Sequence, residues 1–212
     1  DTYIPDRVAD GYGIHEHLIE RAVNDGIDVI VTCDNGIAAY NEIAMAKEKG
    51  ITVIITDHHE IPYKEKEDGR ELILPPADAI VNPKQPDCNY PEKRLCGAVV
   101  ALKLVTALYE ACGIPSKELE DFLELGAIAT VGDVMDLQGE NRILVKEGLK
   151  RLSHTSNKGL RELIRANGLE DGPITAYHVG FVLGPCINAS GRLDTAARSL
   201  KLLCAETEEE AA

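Results

Sequence analysis

Two short apolar runs constrain this chain more than anything else in it: IDVIVT at 27–32 and ITVIIT at 51–56. Each is too short for a helix and too continuously apolar for a strand with one wet face. Each therefore predicts a strand buried on both faces of a parallel sheet. Between them, AAYNEIAMAKEKG (38–50) carries apolar positions at helical spacing and closes on Gly50, as a helix C-terminus should. Strand, helix and strand at this spacing make a βαβ unit, which obliges parallel strands and a right-handed crossover. IHEHLIERAVND (14–25), ended by Gly26, predicts a helix ahead of the first strand, and ADAIVNP (77–83) predicts a further strand stopped by Pro83.

The texture changes near residue 95. CGAVVALKLVTALYEACG (96–113) and KELEDFLELGAIATVGDV (117–134) predict long apolar helices, and further helices are expected at 142–152, 158–167, 173–182 and 195–205. The expected organisation is α/β, with a parallel Rossmann-like sheet in 1–95 and a mainly helical region in 96–212. No internal repeat is present. The acidic tail ETEEEAA has strong helix formers and no stop signal, so the chain is expected to end inside a helix.

Composition excludes some classes of function. No apolar run approaches the roughly 20 residues of a membrane span, and no signal peptide is visible. The six cysteines stand without CxxC pairing, which points to reduced thiols in a cytoplasmic protein rather than a zinc site or a disulfide framework. Charge is the unusual feature: 22 Lys+Arg against 36 Asp+Glu leave a formal −14. That argues against broad nucleic-acid affinity, which rests on neutralising phosphates, and it suits a protein that holds divalent cations. A local basic groove can still sit on an acidic body.

In an open parallel sheet, ligands bind outside the carboxyl ends of the strands. VTCDNG puts Asp34 at that edge, and ITDHHE puts Asp57, His58 and His59 there. Asp133, in ATVGDVMDL, follows an apolar helix and a glycine. Carboxylate with imidazole suits Mn²⁺, Mg²⁺ or Fe²⁺ better than structural zinc. Singly, each residue has a plainer reading: Asp34 as a helix N-cap, the two histidines as surface groups, Asp133 and Asp136 as turn residues. Their coincidence at one edge favours the metal.

DHH directly after one strand, with DNG after the strand before it, resembles the DHH phosphoesterase superfamily. Four further stretches resemble its RecJ family of single-strand-specific exonucleases: YIPDRVADGYG (3–13), NPKQPDCNYPEKRLCGAVVALKL (82–104), TVGDVMDLQGENRILVKEGL (130–149) and LGPCINASGRLD (183–194). The resemblance implies a parallel sheet of the DHH type and 5′→3′ hydrolysis of single-stranded DNA in repair and recombination. It implies two ions, Mn²⁺ or Mg²⁺, with Asp34 shared between them and His58 and Asp133 completing one shell. Asp57 would orient the histidines from behind, and His59 would face the phosphoryl oxygens.

GPCINASGRLD has its own logic: its small residues let the backbone approach a nucleic-acid strand closely. Asn188 can hydrogen-bond phosphate or sugar, Arg192 offers a bidentate fork for a phosphate, and Arg7 is a further phosphate candidate. Plainer readings stand beside these: a glycine-rich turn with a structural Arg192, and a loop-stabilising Arg7. Cys186 stands where the family pattern has an arginine, which removes one positive group. The family's aspartate-rich first motif would precede Asp1, and its DHH-associated domain would follow Ala212. The chain is thus expected to be part of a longer protein, inactive alone and holding at most one ion. Expected partners are single-stranded DNA and other repair proteins, without a membrane. The alternatives are a phosphoesterase for short oligonucleotides or cyclic dinucleotides, and a non-catalytic nucleic-acid-binding relative. No GxGxxG follows a predicted strand, which disfavours a nucleotide-binding Rossmann domain.

Overall fold

The computed structural model describes residues 2–5, 11, 13–67, 69–193 and 196–212; the side chains of 190–193 lie outside that description. The chain divides into two compact units, residues 12–105 and residues 106–212 together with the N-terminal stretch to Gly11.

In the first unit, α1 (Glu16–Asn24) leads to β1 (Val29–Cys33), α2 (Tyr40–Glu48) and β2 (Thr52–Thr56). An antiparallel hairpin follows, β3 (Tyr63–Lys66) with β4 (Gly69–Leu72), and then β5 (Ala79–Val81). β1 pairs in parallel with β2, from Val29 opposite Thr52 to Cys33 opposite Thr56. β2 pairs in parallel with β5, giving the order β1-β2-β5. The βαβ expectation therefore holds.

Helices α1 and α2 close one face through Ile19, Ile43 and Ala46, which pack with Ile51, Val53 and Ile55. Ile43, Val53 and Ile55 are wholly buried, each contributing roughly 1.5–3 kcal/mol by leaving water. Asp78 fastens the helix layer to the sheet: it accepts the Val53 amide at 2.7 Å and the Lys47 ammonium at 2.6 Å.

Two expectations need correcting. β1 is not buried on both faces: Val29 and Val31 are 50% and 56% exposed, because α1 and α2 cover only the opposite face. The hairpin at 63–72 was not anticipated, since its strands YKEK and GREL are nearly all polar. The Asp68-Gly69 dipeptide was the available signal.

In the second unit, α3 (Gly97–Ala111), which begins in the first, is followed by a 3₁₀ turn (Ser116–Leu119), α4 (Phe122–Gly132), α5 (Gly139–Leu152) and α6 (Lys158–Ala166). A short α7 (Ala176–His178) then passes through a π-helical turn (Val179–Leu183) into α8 (Gly184–Leu193), with α9 (Ala197–Leu203) and α10 (Glu208–Ala211) at the end. The helix expected at 117–134 is thus interrupted before Phe122. GPCINASGRL, read as close-approach backbone or turn, is helical. Gly148 lets α5 seat against α4, since a methyl there would overlap Ala127 and the Leu123 carbonyl. Leu152, Leu160, Ile164, Ile174, Val179 and Leu183 form the core.

Candidate metal centre

The site is built where β1 and β2 end. The Asp34 amide donates to the Thr56 carbonyl at 2.9 Å, extending the ladder by one step. Asp34 then takes a left-handed backbone, φ 60°, which turns the chain off the sheet. Such a φ is uncommon outside glycine, asparagine and aspartate, and it clusters at functional positions. Thr32 braces the bend: its hydroxyl donates to the Asn35 carbonyl at 2.6 Å, and its own carbonyl accepts the Thr56 hydroxyl at 2.7 Å. Gly36, φ 108°, completes the turn, where an added Cβ would stand 3.2 Å from the Thr32 hydroxyl and 3.3 Å from the Ile55 side chain.

β2 delivers Asp57, which is 1% exposed. One carboxylate oxygen accepts the Ile37 amide at 2.9 Å, joining the loop after β1 to the loop after β2. The other accepts the His58 amide at 2.7 Å, the His59 amide at 3.2 Å and His59 Nδ1 at 2.7 Å. Burial pushes the Asp57 carboxyl up. The hydrogen bonds from the Ile37 backbone, the His59 ring and the His59 and His58 backbones outweigh it and hold the group below its ordinary range. Asp57 thus orients His59 through its ring and His58 through its backbone. The tautomer follows: His59 donates from Nδ1, and Nε2 is the nitrogen turned away from Asp57.

His58 is buried and His59 largely exposed. His58 Nε2 lies 3.0 Å from Asp34 Oδ1, and His59 Nδ1 lies 4.0 Å from the same oxygen. The two imidazoles sit with centroids 4.5 Å apart. From β5, buried Asn82 donates to the His59 carbonyl at 3.0 Å. Sequence reasoning missed Asn82; the Asn-Pro pair after the strand was the one local hint.

One ligand atom each from Asp34, His58 and His59 lies within 4.8 Å of the others. Two bonds of about 2.0–2.2 Å to one ion allow a donor separation of at most about 4.4 Å, so the set needs little closure. One hard carboxylate with two imidazoles, backed by a buried acceptor, fits Mn²⁺ or Mg²⁺.

Asp133 and Asn188 belong to the second unit. Asp133 is exposed there, and its amide closes α4 on the Ala129 carbonyl at 2.9 Å. Asn188, on α8, lines a cleft of about 230 Å³ with Gly132, Gly180, Gly184, Pro185 and Ala189. Cys186 is exposed, its thiol 3.7 Å from Asn167 Oδ1. Arg7 and the Arg192 side chain lie outside the described residues. A larger cavity, about 370 Å³, opens in the second unit among Asp121, Glu124, Lys150, Arg151 and His154, and the metal candidates do not line it.

Residues 1–130 match the family model described as the DHH family, N-terminal domain. The whole chain is 44% identical over 212 residues to the single-stranded-DNA-specific exonuclease RecJ of Bacillus subtilis, of which it spans 25%. It is also similar to a crystal structure of exonuclease RecJ bound to manganese (TM-score 0.84, 36% identity, 99% of this chain and 50% of that one). A structure of RecJ from Thermus thermophilus in complex with Mg²⁺ matches at TM-score 0.58 and 28% identity, over 92% of this chain and 31% of that one.

Proposed function

Because this chain belongs to the DHH family, we propose that it carries part of the metal-dependent active site of a single-strand-specific DNA exonuclease working from the 5′ end in repair and recombination. The observation that carries this reading is the convergence of Asp34, His58 and His59 at one sheet edge, with buried Asp57 behind them. Asp34 and His58 would hold a Mn²⁺ or Mg²⁺ ion, joined by Asp133, and the whole protein would hold two ions. When bound, the metal supplies an activated water and a Lewis-acid clamp on the phosphoryl oxygens.

The chain's own residues do the positioning. The Thr56–Thr32 and Thr32–Asn35 hydrogen bonds hold the backbone that carries Asp34 at the sheet edge before any ion arrives. Asp57 fixes the His59 ring, so that His59 Nε2 would be presented toward the phosphoryl oxygens. The described residues contain no helix long and apolar enough to cross a membrane. None of the six cysteines is in a disulfide, which supports placing the protein in the cytoplasm. Association with other repair proteins is part of the same proposal.

The test is to give the whole protein Mn²⁺ with a labelled single strand, a blunt duplex and a dinucleotide. Degradation of the single strand from its 5′ end, lost in His58→Ala, is expected. Cleavage of the dinucleotide alone would return the protein to the phosphoesterases of short oligonucleotides. Binding without cleavage of any substrate would make it a non-catalytic relative.

A further inference from the structure

Tyr177 and Phe181 are 63% and 72% exposed, and their rings stack with centroids 5.0 Å apart and planes 28° from parallel. A single exposed apolar side chain is ordinary; two ordered as a stack are not. Their outward direction is set by the core. Val179 and Leu183, two residues further along, are wholly buried, and a two-residue step reverses the face of a helix.

The N-terminus of this segment is also pinned. Thr175 accepts the His178 amide through its hydroxyl, and His178 Nδ1 accepts the Thr175 amide. The π turn at Val179–Leu183 includes Phe181, and such turns occur frequently at functional sites.

The aromatic pair is continuous with a second feature. Positions 177, 181, 185 and 188 are spaced by four, four and three, so they fall on one helical stripe. Pro185 and Asn188 line the 230 Å³ cleft, and its other walls include Gly132, Gly180 and Gly184. Among these, Gly132 is exposed with open space where a Cβ would stand, which leaves its backbone open to close approach. Phe181 and Asn188 are about 10 Å apart along the axis, at roughly 1.5 Å per residue.

We infer that Tyr177 and Phe181 form a stacking platform for an unpaired base, with the neighbouring sugar–phosphate backbone laid over the glycine cleft toward Asn188. This deepens the single-strand reading and rests on it. A chain of formal charge −14 gains from such a contact, because base stacking needs no phosphate neutralisation. Stacking is also tolerant of sequence, as an enzyme that consumes any strand requires.

The experiment measures binding of the whole protein, in chelator, to a labelled dT 12-mer and to an abasic 12-mer, across a salt series. Phe181→Leu should weaken dT binding by about 5- to 150-fold, the range that loss of one stacked base gives. Abasic binding and the slope of log K against log salt should not change, because no phosphate contact is lost. Phe181→Trp adds an emission at the platform, read as the difference from the wild type, that dT should quench and the abasic strand should not. Unchanged dT affinity in Phe181→Leu, equal losses for both strands, or an unquenched tryptophan would overturn the platform. Equal wild-type affinity for dT and abasic strands would remove the platform and leave the nucleic-acid reading intact. A wild type that binds neither strand would sink both.

Discussion

Gly97, the first residue of α3, lies directly against the Asp34 carboxylate: a methyl group built on Gly97 would overlap the Asp34 Cβ, Cγ and Oδ1. Residues 63 positions apart along the chain (97 − 34) thus share one site, and the absence of a side chain at Gly97 leaves room for the carboxylate. Gly97→Ala should therefore displace Asp34 while improving helix propensity by up to about 1 kcal/mol. The expected outcome is a near-normal melting temperature with Mn²⁺ affinity reduced by at least about tenfold, equivalent to about 1.4 kcal/mol. Titration calorimetry checks this, and an unchanged Mn²⁺ affinity would show that the carboxylate can move aside freely.

The left-handed backbone at Asp34 makes a separate prediction. Both Asp34→Gly and Asp34→Ala remove the carboxylate, but only alanine keeps a Cβ at φ 60°. The glycine variant should be the more stable of the two by about 1 kcal/mol. Neither should gain thermal stability from Mn²⁺, whereas the wild type should, because an ion that binds only the folded state raises its melting temperature. Melting curves with and without Mn²⁺ measure both effects.

Asp57→Asn preserves volume but replaces one acceptor oxygen with a donor among the amides of Ile37, His58 and His59. Leaving such a buried donor unsatisfied costs about 1–3 kcal/mol. The urea midpoint should fall by about 1 M, at roughly 2 kcal/mol per molar urea. A midpoint within error of the wild type would mean that the two loops are held together by something other than Asp57.

Glu124, 3% exposed on α4, gives a pH prediction. Burial pushes its carboxyl above the ordinary value of 4.5, partly offset by the Thr155 hydroxyl donating at 2.7 Å. The folded state therefore binds this proton more tightly than the unfolded state. The group's contribution to stability is full below about 4.5 and is lost as pH rises through its raised folded pKa. Glu124→Gln keeps an acceptor for Thr155 and carries no charge. Its melting temperature should exceed the wild type's at pH 8, by about 2–4 °C per kcal/mol, and the two should converge toward pH 4. A wild type that is the more stable at pH 8 would mean that Arg151 and Thr155 more than repay the burial.

Much of the site could be read in advance because its determinants are local. The β-branched runs around Val31 and Ile54 specify strands, the helix between them makes those strands parallel, and a parallel sheet puts Asp34 and His58 at the same edge. Asp57's supporting part is what the family resemblance implied for the triplet. What escaped were features whose cause lies far along the chain. Val29 and Val31 look as buried as Val53 within any short window, yet only the packing of α1 and α2 decides which face of β1 is covered.

The amino-acid order by itself therefore determined the βαβ frame, the helical second half and the residue types at the sheet edge, because side-chain branching and apolar period act within a few residues. Only the tertiary structure decided the rest. It turned GPCINASGRL into a helix despite its small and breaking residues, since Val179 and Leu183 just ahead of it are anchored in the core. It set Asp34 in a left-handed backbone, held by the hydrogen bonds of its amide to Thr56 and of Thr32 to Asn35. It placed Gly97 and Ile37 against the carboxylates of Asp34 and Asp57. Those contacts join positions 20 to 63 residues apart (37 to 57, 34 to 97), and short-range preference carries no information at that range.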